Sequence, residues 1–153
     1  MQVGTWIGRF QNRDCARRLS SHDGSRRGYD SSTGYELPSG DVLEPDVSFV
    51  SAATLSRGPK PDPDAFLRLV PDLVVEILSP STASRDRLEK KKIYEKNGVG
   101  EYWIVDPRSR RVTIFCLEGE AYGEAKQIMR GAAESSVLPG FSILLDSVFA
   151  ELD

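Results

Sequence analysis

The densest apolar stretch of the chain lies near its middle, at Leu73–Leu78, between Pro71 and Pro80. A short, almost wholly apolar run that ends at prolines is typical of a strand covered on both faces of a sheet. Glu76 is the one charged residue in this run. A buried carboxylate is costly unless it is paired or binds a metal ion. The residue therefore has either a basic partner or a functional role.

Further strands are predicted on both sides of this one. Upstream, Gly34–Pro38 and Val42–Val50 flank a turn and could form a hairpin. In the second of these, Asp46, Ser48 and Val50 share one face, and Val47 and Phe49 share the other. Downstream, the pattern predicts an apolar strand at 101–107 and a strand of alternating polarity at 111–117. An edge strand is predicted at 125–129, and a segment that closes the core at 137–145.

One helix is predicted over 85–97, with Ser84 as its N-cap and Gly98 as the residue that ends it. Asp86, Lys90 and Tyr94 are four residues apart and share a face of this helix. Residues 1–19 have weak helical character, and residues 20–33 are predicted to form a loop. Residues 51–70 are predicted to form a proline-rich surface loop with a helical turn around Ala65–Leu69. The order of elements predicts a single α/β domain with a mixed β-sheet flanked by helices.

The composition limits the cellular location and the kind of metal site that the chain can have. The chain has 153 residues and no apolar run of the length that spans a bilayer, and its first residues do not have the pattern of a signal peptide, so we expect a cytoplasmic protein without a membrane partner. Two cysteines and one histidine nearly exclude a zinc site of the Cys/His kind. Any metal ion would be a hard one bound by carboxylates, such as Mg²⁺ or Mn²⁺.

The formal net charge of -3 does not indicate a nucleic-acid-binding protein. The basic residues are nevertheless clustered in two groups, Arg9, Arg13, Arg17, Arg18, Arg26 and Arg27, and Arg85, Arg87, Lys90, Lys91, Lys92 and Lys96. Such clusters are either solvated faces or local contacts for a phosphate backbone.

Two acids, Asp46 and Glu76, lie on predicted strands thirty positions apart. If those strands are neighbours, the carboxylates can face one cleft, where a cation between them would relieve their repulsion. A magnesium ion there could polarise a phosphate oxygen and activate a water molecule. Asp72 lies on the strand of Glu76, but their Cα atoms would be about 13 Å apart. Asp72 and Glu76 therefore cannot share one ion, and we interpret Asp72 as a turn residue with a supporting role left open.

Lys90 allows two interpretations. It forms an exposed pair with Asp86, or it extends over the sheet, where its charge would orient a water molecule or stabilise a developing negative charge. Tyr94, one turn further along, either lines the same cleft or belongs to the core.

The spaced motifs of the chain are specific. They are Ser32–Pro38, Pro45–Val50, Pro71–Ser81, then Asp86, Lys90, Tyr94, Gly98 and Val99, then Glu101–Pro107 and Leu138–Gly140. Over residues 31–149 the chain resembles the bacterial Uma2 family of "putative restriction endonucleases", a branch of the PD-(D/E)XK nuclease superfamily. The resemblance implies a restriction-endonuclease-like fold and metal-dependent hydrolysis of phosphodiester bonds, with Asp46 and Glu76 as the two acids of the motif.

The resemblance has two departures. The superfamily lysine stands two residues after the second acid, where this chain has Leu78; the family pattern points instead to Lys90 on the following helix. Similar proteins begin with an additional helix and strands, so the resemblance implies a chain that is short at its N-terminus. Residues 1–30 would then be an arginine-rich lead-in to the family-like core of one domain, 1–153. No equivalent of a further acid from a first helix is evident.

The leading hypothesis is therefore a DNA endonuclease that uses Mg²⁺ or Mn²⁺. Asp46, Glu76 and the Ile77 carbonyl would bind metal, Lys90 would act on water or charge, and Tyr94 and Asp72 would support them. Arg85, Arg87 and Lys91 would contact DNA, and cutting both strands would favour a homodimer. The alternative is a catalytically silent nuclease-fold module, shortened at the N-terminus, that binds nucleic acid or a protein. A nuclease that acts on RNA stays open.

Overall fold

The computed structural model describes residues 26–79 and 84–150, with the backbone alone for 84–86. The helical character predicted for 1–19 lies outside the described residues, as do the side chains of Arg85 and Asp86. Within the two described ranges, no helix has the length and apolar character needed to cross a membrane.

A mixed sheet forms the centre of the described fold. Its strands are β1 (Arg26–Asp30), β4 (Val47–Ser51), β5 (Leu73–Ile77), β6 (Glu101–Asp106), β7 (Arg111–Glu118), β8 (Ala121–Tyr122) and β9 (Lys126–Ile128). Six of them follow the order β1-β4-β5-β6-β7-β8, and β9 also pairs with β7. β5 and β6 run parallel, whereas the other neighbouring pairs are antiparallel. The prediction of a mixed sheet is confirmed.

Strand β5 lies inside the sheet, as its apolar run predicts, and all five of its residues are buried. Alternate residues enter two different layers of the core. On one face, Val75 packs with Val47, Trp103 and Phe141. On the other, Val74 packs in the cluster that contains Tyr94. The predicted division of the neighbouring strand into two faces holds as well, since Phe49 belongs to the first layer and Val50 to the second.

Helix α2 (Ser84–Lys96) connects the two parallel strands β5 and β6. Parallel neighbours need such a crossover because a tight turn cannot join them. The helix begins one residue before the predicted start and ends one residue before the predicted end. Gly98 follows with a φ of 80°. In this left-handed conformation glycine is favoured, so the prediction of Gly98 as the terminating residue is confirmed.

Three predicted segments differ from the structure. Arg26–Asp30 was predicted to be a loop but forms β1, because it hydrogen-bonds along the edge of β4. The strand predicted at 42–50 is interrupted at Pro45, leaving β3 (Val42–Leu43), which pairs with β2 (Tyr35–Glu36), and β4. A proline cannot donate a hydrogen bond to the ladder, which explains the interruption.

The third difference concerns the loop predicted at 51–70. Helix α1 (Ala52–Arg57) occupies its start, and the helical turn predicted around Ala65–Leu69 is absent. The Ser51 side chain accepts a hydrogen bond from the backbone N–H of Thr54 and caps α1.

The C-terminal part of the described chain covers the sheet face that carries Trp103. The strands β10 (Ala132–Glu134) and β11 (Ser142–Leu144) pair with each other, and α3 (Leu145–Phe149) follows. Leu138, Phe141 and Phe149 are buried in this layer, which confirms the predicted closing segment. β10 was not predicted.

Candidate active site

Glu76 is held on both of its carboxylate oxygens by helix α2. Its Oε2 lies 3.1 Å from Lys90 Nζ, and its Oε1 accepts a hydrogen bond of 2.7 Å from the Tyr94 hydroxyl. The residue is only 7% exposed. Glu76 thus has the basic partner that its burial requires, and Lys90 extends to the sheet instead of remaining only a surface residue of the helix.

Asp46 lies directly before β4, at the sheet end where β5 finishes. Its Oδ2 accepts a hydrogen bond of 2.7 Å from the backbone N–H of Ile77. The β4–β5 register pairs Val47 with Val75, so one further step along these antiparallel strands sets Asp46 opposite Glu76. The two strands are therefore neighbours, and the two acids lie at one place in the fold.

The electrostatics of Glu76 reflect this arrangement. Burial raises the pKa of its carboxyl above the usual range. The Lys90 charge and the Tyr94 hydrogen bond act in the opposite direction, and the nearby Asp46 charge raises the pKa further. Burial and the Glu76 charge in turn raise the pKa of Tyr94 well above its ordinary value. The Tyr94 phenol therefore keeps its proton and donates a hydrogen bond to Glu76.

The oxygen donors at this site suit a hard divalent cation. A buried carboxylate whose ionised form is under-stabilised even beside Lys90 would gain from a further positive charge. Magnesium typically binds through one or two protein carboxylates and keeps several water ligands. Across the two described ranges, no group of three or more His, Cys, Asp and Glu side chains is arranged to hold a metal ion. A metal ion here would therefore take most of its ligands from water or substrate.

A family model described as "Putative restriction endonuclease", Uma2, matches residues 6–146. The chain belongs to the Uma2 family. The match confirms the resemblance derived from the motifs, and it begins well before residue 31, where that resemblance was placed.

Two solved structures are similar to this Uma2 chain. One is the crystal structure of a "putative nuclease belonging to DUF820" from Anabaena variabilis ATCC 29413, with a TM-score of 0.78, 18% identity, and coverage of 99% of this chain and 84% of that one. This likeness shows that the two chains share a fold. The other is a DrdV–DNA complex, with a TM-score of 0.41, 12% identity, and coverage of 73% of this chain and 9% of that one. A search of the curated proteins gave no match.

Asp72 of this Uma2 protein lies at the opposite end of β5 from Ile77. Its Oδ2 accepts a hydrogen bond of 2.6 Å from the Ser51 backbone N–H, and its Oδ1 accepts one of 3.0 Å from the Thr54 hydroxyl. These contacts fix the start of α1. They agree with its interpretation as a turn residue and keep it apart from Asp46 and Glu76.

The basic residues predicted to contact DNA differ in their surroundings. The Lys91 ammonium lies 4.9 Å and 5.4 Å from the ring centroids of Phe115 and Tyr122, and 3.6 Å from Glu95 Oε2. It therefore packs over β7 and β8, whereas Lys90 reaches Glu76. Arg87 is half-buried on the first part of α2. The side chain of Arg85 lies outside the described residues.

A second buried acid, Glu101, lies at the start of β6 and was not predicted from the sequence. It is fully buried, and it accepts hydrogen bonds from Trp103 Nε1 at 3.0 Å and from the Ser136 backbone N–H at 2.7 Å. Glu101 pairs with Leu73, so it lies at the sheet end away from Ile77. Its position as the first residue of an apolar strand was a signal that could have found it, whereas Glu76 was identified because it lies inside an apolar run.

Proposed function

We propose that this Uma2 protein is a metal-dependent endonuclease that hydrolyses DNA phosphodiester bonds beside Asp46 and Glu76. The observation that carries the proposal is the arrangement of these two carboxylates on adjacent strands, with Lys90 within hydrogen-bonding distance of Glu76. The Uma2 match supplies the reaction class.

In this proposal, Asp46 and Glu76 hold Mg²⁺ or Mn²⁺, and the Ile77 carbonyl assists them. Such an ion, when bound, polarises a phosphate oxygen and lowers the pKa of a coordinated water molecule. Lys90 orients the attacking water or stabilises the charge that develops on the phosphate. Tyr94 fixes the orientation of Glu76 through its hydrogen bond. Asp72 supports the site indirectly, because it anchors the helix that follows β4.

We propose that α2 contacts DNA through Arg85, Arg87 and Lys91. The proposal also includes one nuclease domain over 1–153, a cytoplasmic location, and a homodimer when both strands are cut, since one site cuts one strand at a time.

The test is nicking of supercoiled plasmid DNA by the purified protein, with Mn²⁺ and with EDTA, beside Glu76→Ala. Glu120→Ala is a matched control, because Glu120 is an exposed glutamate in the turn between β7 and β8. We expect metal-dependent nicking by the wild type and the control, and a loss of at least about 100-fold in Glu76→Ala. Circular dichroism verifies that each variant is folded. Equal nicking by folded Glu76→Ala would refute the assignment.

The second candidate is a catalytically silent nuclease-fold module. It is favoured by Leu78 at the usual lysine position and by the presence of only two acids at the described site. A silent module should gain no thermal stability from Mn²⁺, whereas a working site gains RT ln(1 + [L]/Kd). Parallel reactions with single-stranded DNA and with RNA separate a DNA enzyme from an RNA enzyme.

A further inference from the structure

The turn between β6 and β7 lies at the same sheet end as the candidate active site. β5 and β6 are parallel, and Ile77 pairs with Val105. β6 ends one residue later, at Asp106, so the turn at 107–110 leaves the sheet beside the end of β5. Asp46 is hydrogen-bonded to Ile77 at this end. We call residues 107–110 the basic turn.

The Asp106 carboxylate holds the basic turn in its conformation by accepting hydrogen bonds from turn residues. Its Oδ1 accepts hydrogen bonds from the backbone N–H groups of Arg108 and Ser109, at 3.0 Å and 3.4 Å, and its Oδ2 accepts one of 2.7 Å from the Ser109 hydroxyl. Burial alone would raise the pKa of Asp106, but these hydrogen bonds and the Arg111 charge together lower it. The carboxylate therefore stays ionised at neutral pH, and the turn is formed in advance of any binding.

The arginines of this segment divide into two kinds. Arg111 is half-buried and has two partners: one of its guanidinium nitrogens lies 3.9 Å from Asp106 Oδ2, and another donates to Gln127 Oε1 at 3.3 Å. Arg108 and Arg110 are exposed. Arg111 thus belongs to the framework of the segment, whereas Arg108 and Arg110 lie at the surface of the basic turn.

Arg110 adopts a φ of 51°, whereas the other residues of the described chain with positive φ are glycines. Glycine or asparagine would adopt this conformation with less strain. Strained positions tend to occur at functional sites. The residue at this position is an arginine, whose planar guanidinium is well suited to binding a phosphate through two hydrogen bonds.

We propose that the basic turn is a contact surface for the phosphate backbone of duplex DNA, with Arg108 and Arg110 binding phosphates next to the cleavage site. This inference rests on the proposed function. It places the principal backbone contact on the β6–β7 turn, in addition to the contacts proposed on α2. The contacts would position the duplex without reading its sequence.

The test is equilibrium binding of a fluorescein-labelled DNA duplex by the full chain in EDTA, where no cleavage occurs. Arg108→Ala/Arg110→Gly is compared with Arg57→Ala/Lys60→Ala, which also removes two exposed cations but outside the basic turn. We expect the first variant to bind at least tenfold more weakly. We also expect its slope of log K against log salt to fall by about 0.9 for each phosphate that the variant no longer neutralises. The control should bind as the wild type does.

Thermal melting of the turn variant and the wild type distinguishes a lost DNA contact from a loss of folding. Glycine relieves the backbone strain at position 110, so the turn variant should melt no lower than the wild type. Wild-type protein that does not bind the duplex, or equal affinity of the two double variants, would overturn the proposal. The choice of DNA as the partner would be overturned if the turn variant bound an RNA duplex more weakly than the wild type did but bound the DNA duplex equally well.

Because binding is measured without metal, the two proposals fail separately. Binding that depends on the basic turn, in a protein that never nicks DNA, supports the contact surface and refutes the nuclease. Nicking with unaltered binding by the turn variant refutes the contact surface and leaves the nuclease standing.

Discussion

Lys90 and Glu76 form an ion pair between α2 and β5, with 3.1 Å between Nζ and Oε2. The two side chains differ in environment, since that of Lys90 is 27% exposed and that of Glu76 is 9% exposed. The lysine therefore supplies positive charge to a carboxylate that is almost removed from solvent. A divalent cation drawn to Glu76 would meet this charge already in place.

Substitution of Lys90 should separate metal affinity from catalysis. In Lys90→Gln we expect Mn²⁺ to bind more tightly, because a positive charge next to Glu76 is removed. We expect the nicking rate to fall by about 10²–10³, because the group that stabilises the developing charge is absent. Isothermal titration with Mn²⁺ and plasmid nicking measure the two effects.

Lys92→Gln is the matched control for this variant. Lys92 is exposed on the same helix. It should change neither metal affinity nor nicking. Weaker Mn²⁺ binding by Lys90→Gln would contradict the electrostatic argument, and unaltered nicking would remove Lys90 from the reaction.

The raised pKa of Glu76 predicts a pH-dependent effect on stability. The folded state holds this proton more tightly than the unfolded chain does. The stabilisation is therefore fully present below the pKa of the unfolded glutamate, and it is lost as the pH rises through the folded pKa. Glu76→Gln cannot ionise and should escape this loss. Its Tm should rise relative to that of the wild type between acidic and neutral pH, by roughly 2–4 °C for each kcal/mol regained.

Differential scanning calorimetry across this pH range, without metal, tests the prediction. Glu120→Gln controls for the removal of a carboxyl group at an exposed position. If the wild type gains stability over Glu76→Gln as the pH rises, the ion pair with Lys90 outweighs the cost of burial and the prediction is wrong.

Asp72 should be a residue of stability and not of catalysis. Asp72→Ala removes the acceptors of the Ser51 N–H and the Thr54 hydroxyl, so we expect a loss of about 2 kcal/mol in the free energy of unfolding. Urea denaturation measures this loss, and Asp72→Asn, which keeps one acceptor oxygen, should lose less. Nicking under folding conditions should stay within about twofold of the wild type, given intact Asp46 and Glu76. A folded Asp72→Ala protein without activity would show that Asp72 takes part in catalysis.

Glu101 should matter to folding more than its position at a strand start suggests. Glu101→Ala leaves the Trp103 indole N–H and the Ser136 backbone N–H without their acceptor, at a cost of about 1–3 kcal/mol for each buried donor left unpaired. Glu101→Gln retains one acceptor oxygen and should be destabilised less. Chemical denaturation of the two variants measures the difference. Equal stability of Glu101→Ala and the wild type would contradict the role assigned to this carboxylate.

The sequence predicted those parts of the fold that depend on local pattern. β5 could be identified because its residues are nearly all apolar, and Glu76 because it contrasts with them. The spacing of Lys90 and Tyr94 placed both on one face of a helix, and both contact Glu76. One position further along, Lys91 has the same chemistry and packs over Phe115 and Tyr122 instead.

Other parts depend on contacts between distant segments. Arg26–Asp30 contains turn-forming residues and becomes a strand because β4 offers it an edge to pair with. The hydrogen bond from Ile77 to Asp46 requires the register between two strands, which no local pattern contains. The basic turn became recognisable only when the parallel pairing of β5 and β6 placed it beside Ile77.

The hydrogen bond between Asp46 and Ile77 gives this acid a second task. β4 begins at Val47, so the Ile77 N–H extends past the last paired residues of the ladder, and the Asp46 side chain completes the pairing there. Removal of the side chain would fray the sheet end as well as take away a charge. Inactivity of Asp46→Ala would thus report on backbone order and ion binding at once. Asp46→Asn, which keeps an oxygen for the amide of Ile77, is the substitution that isolates the charge.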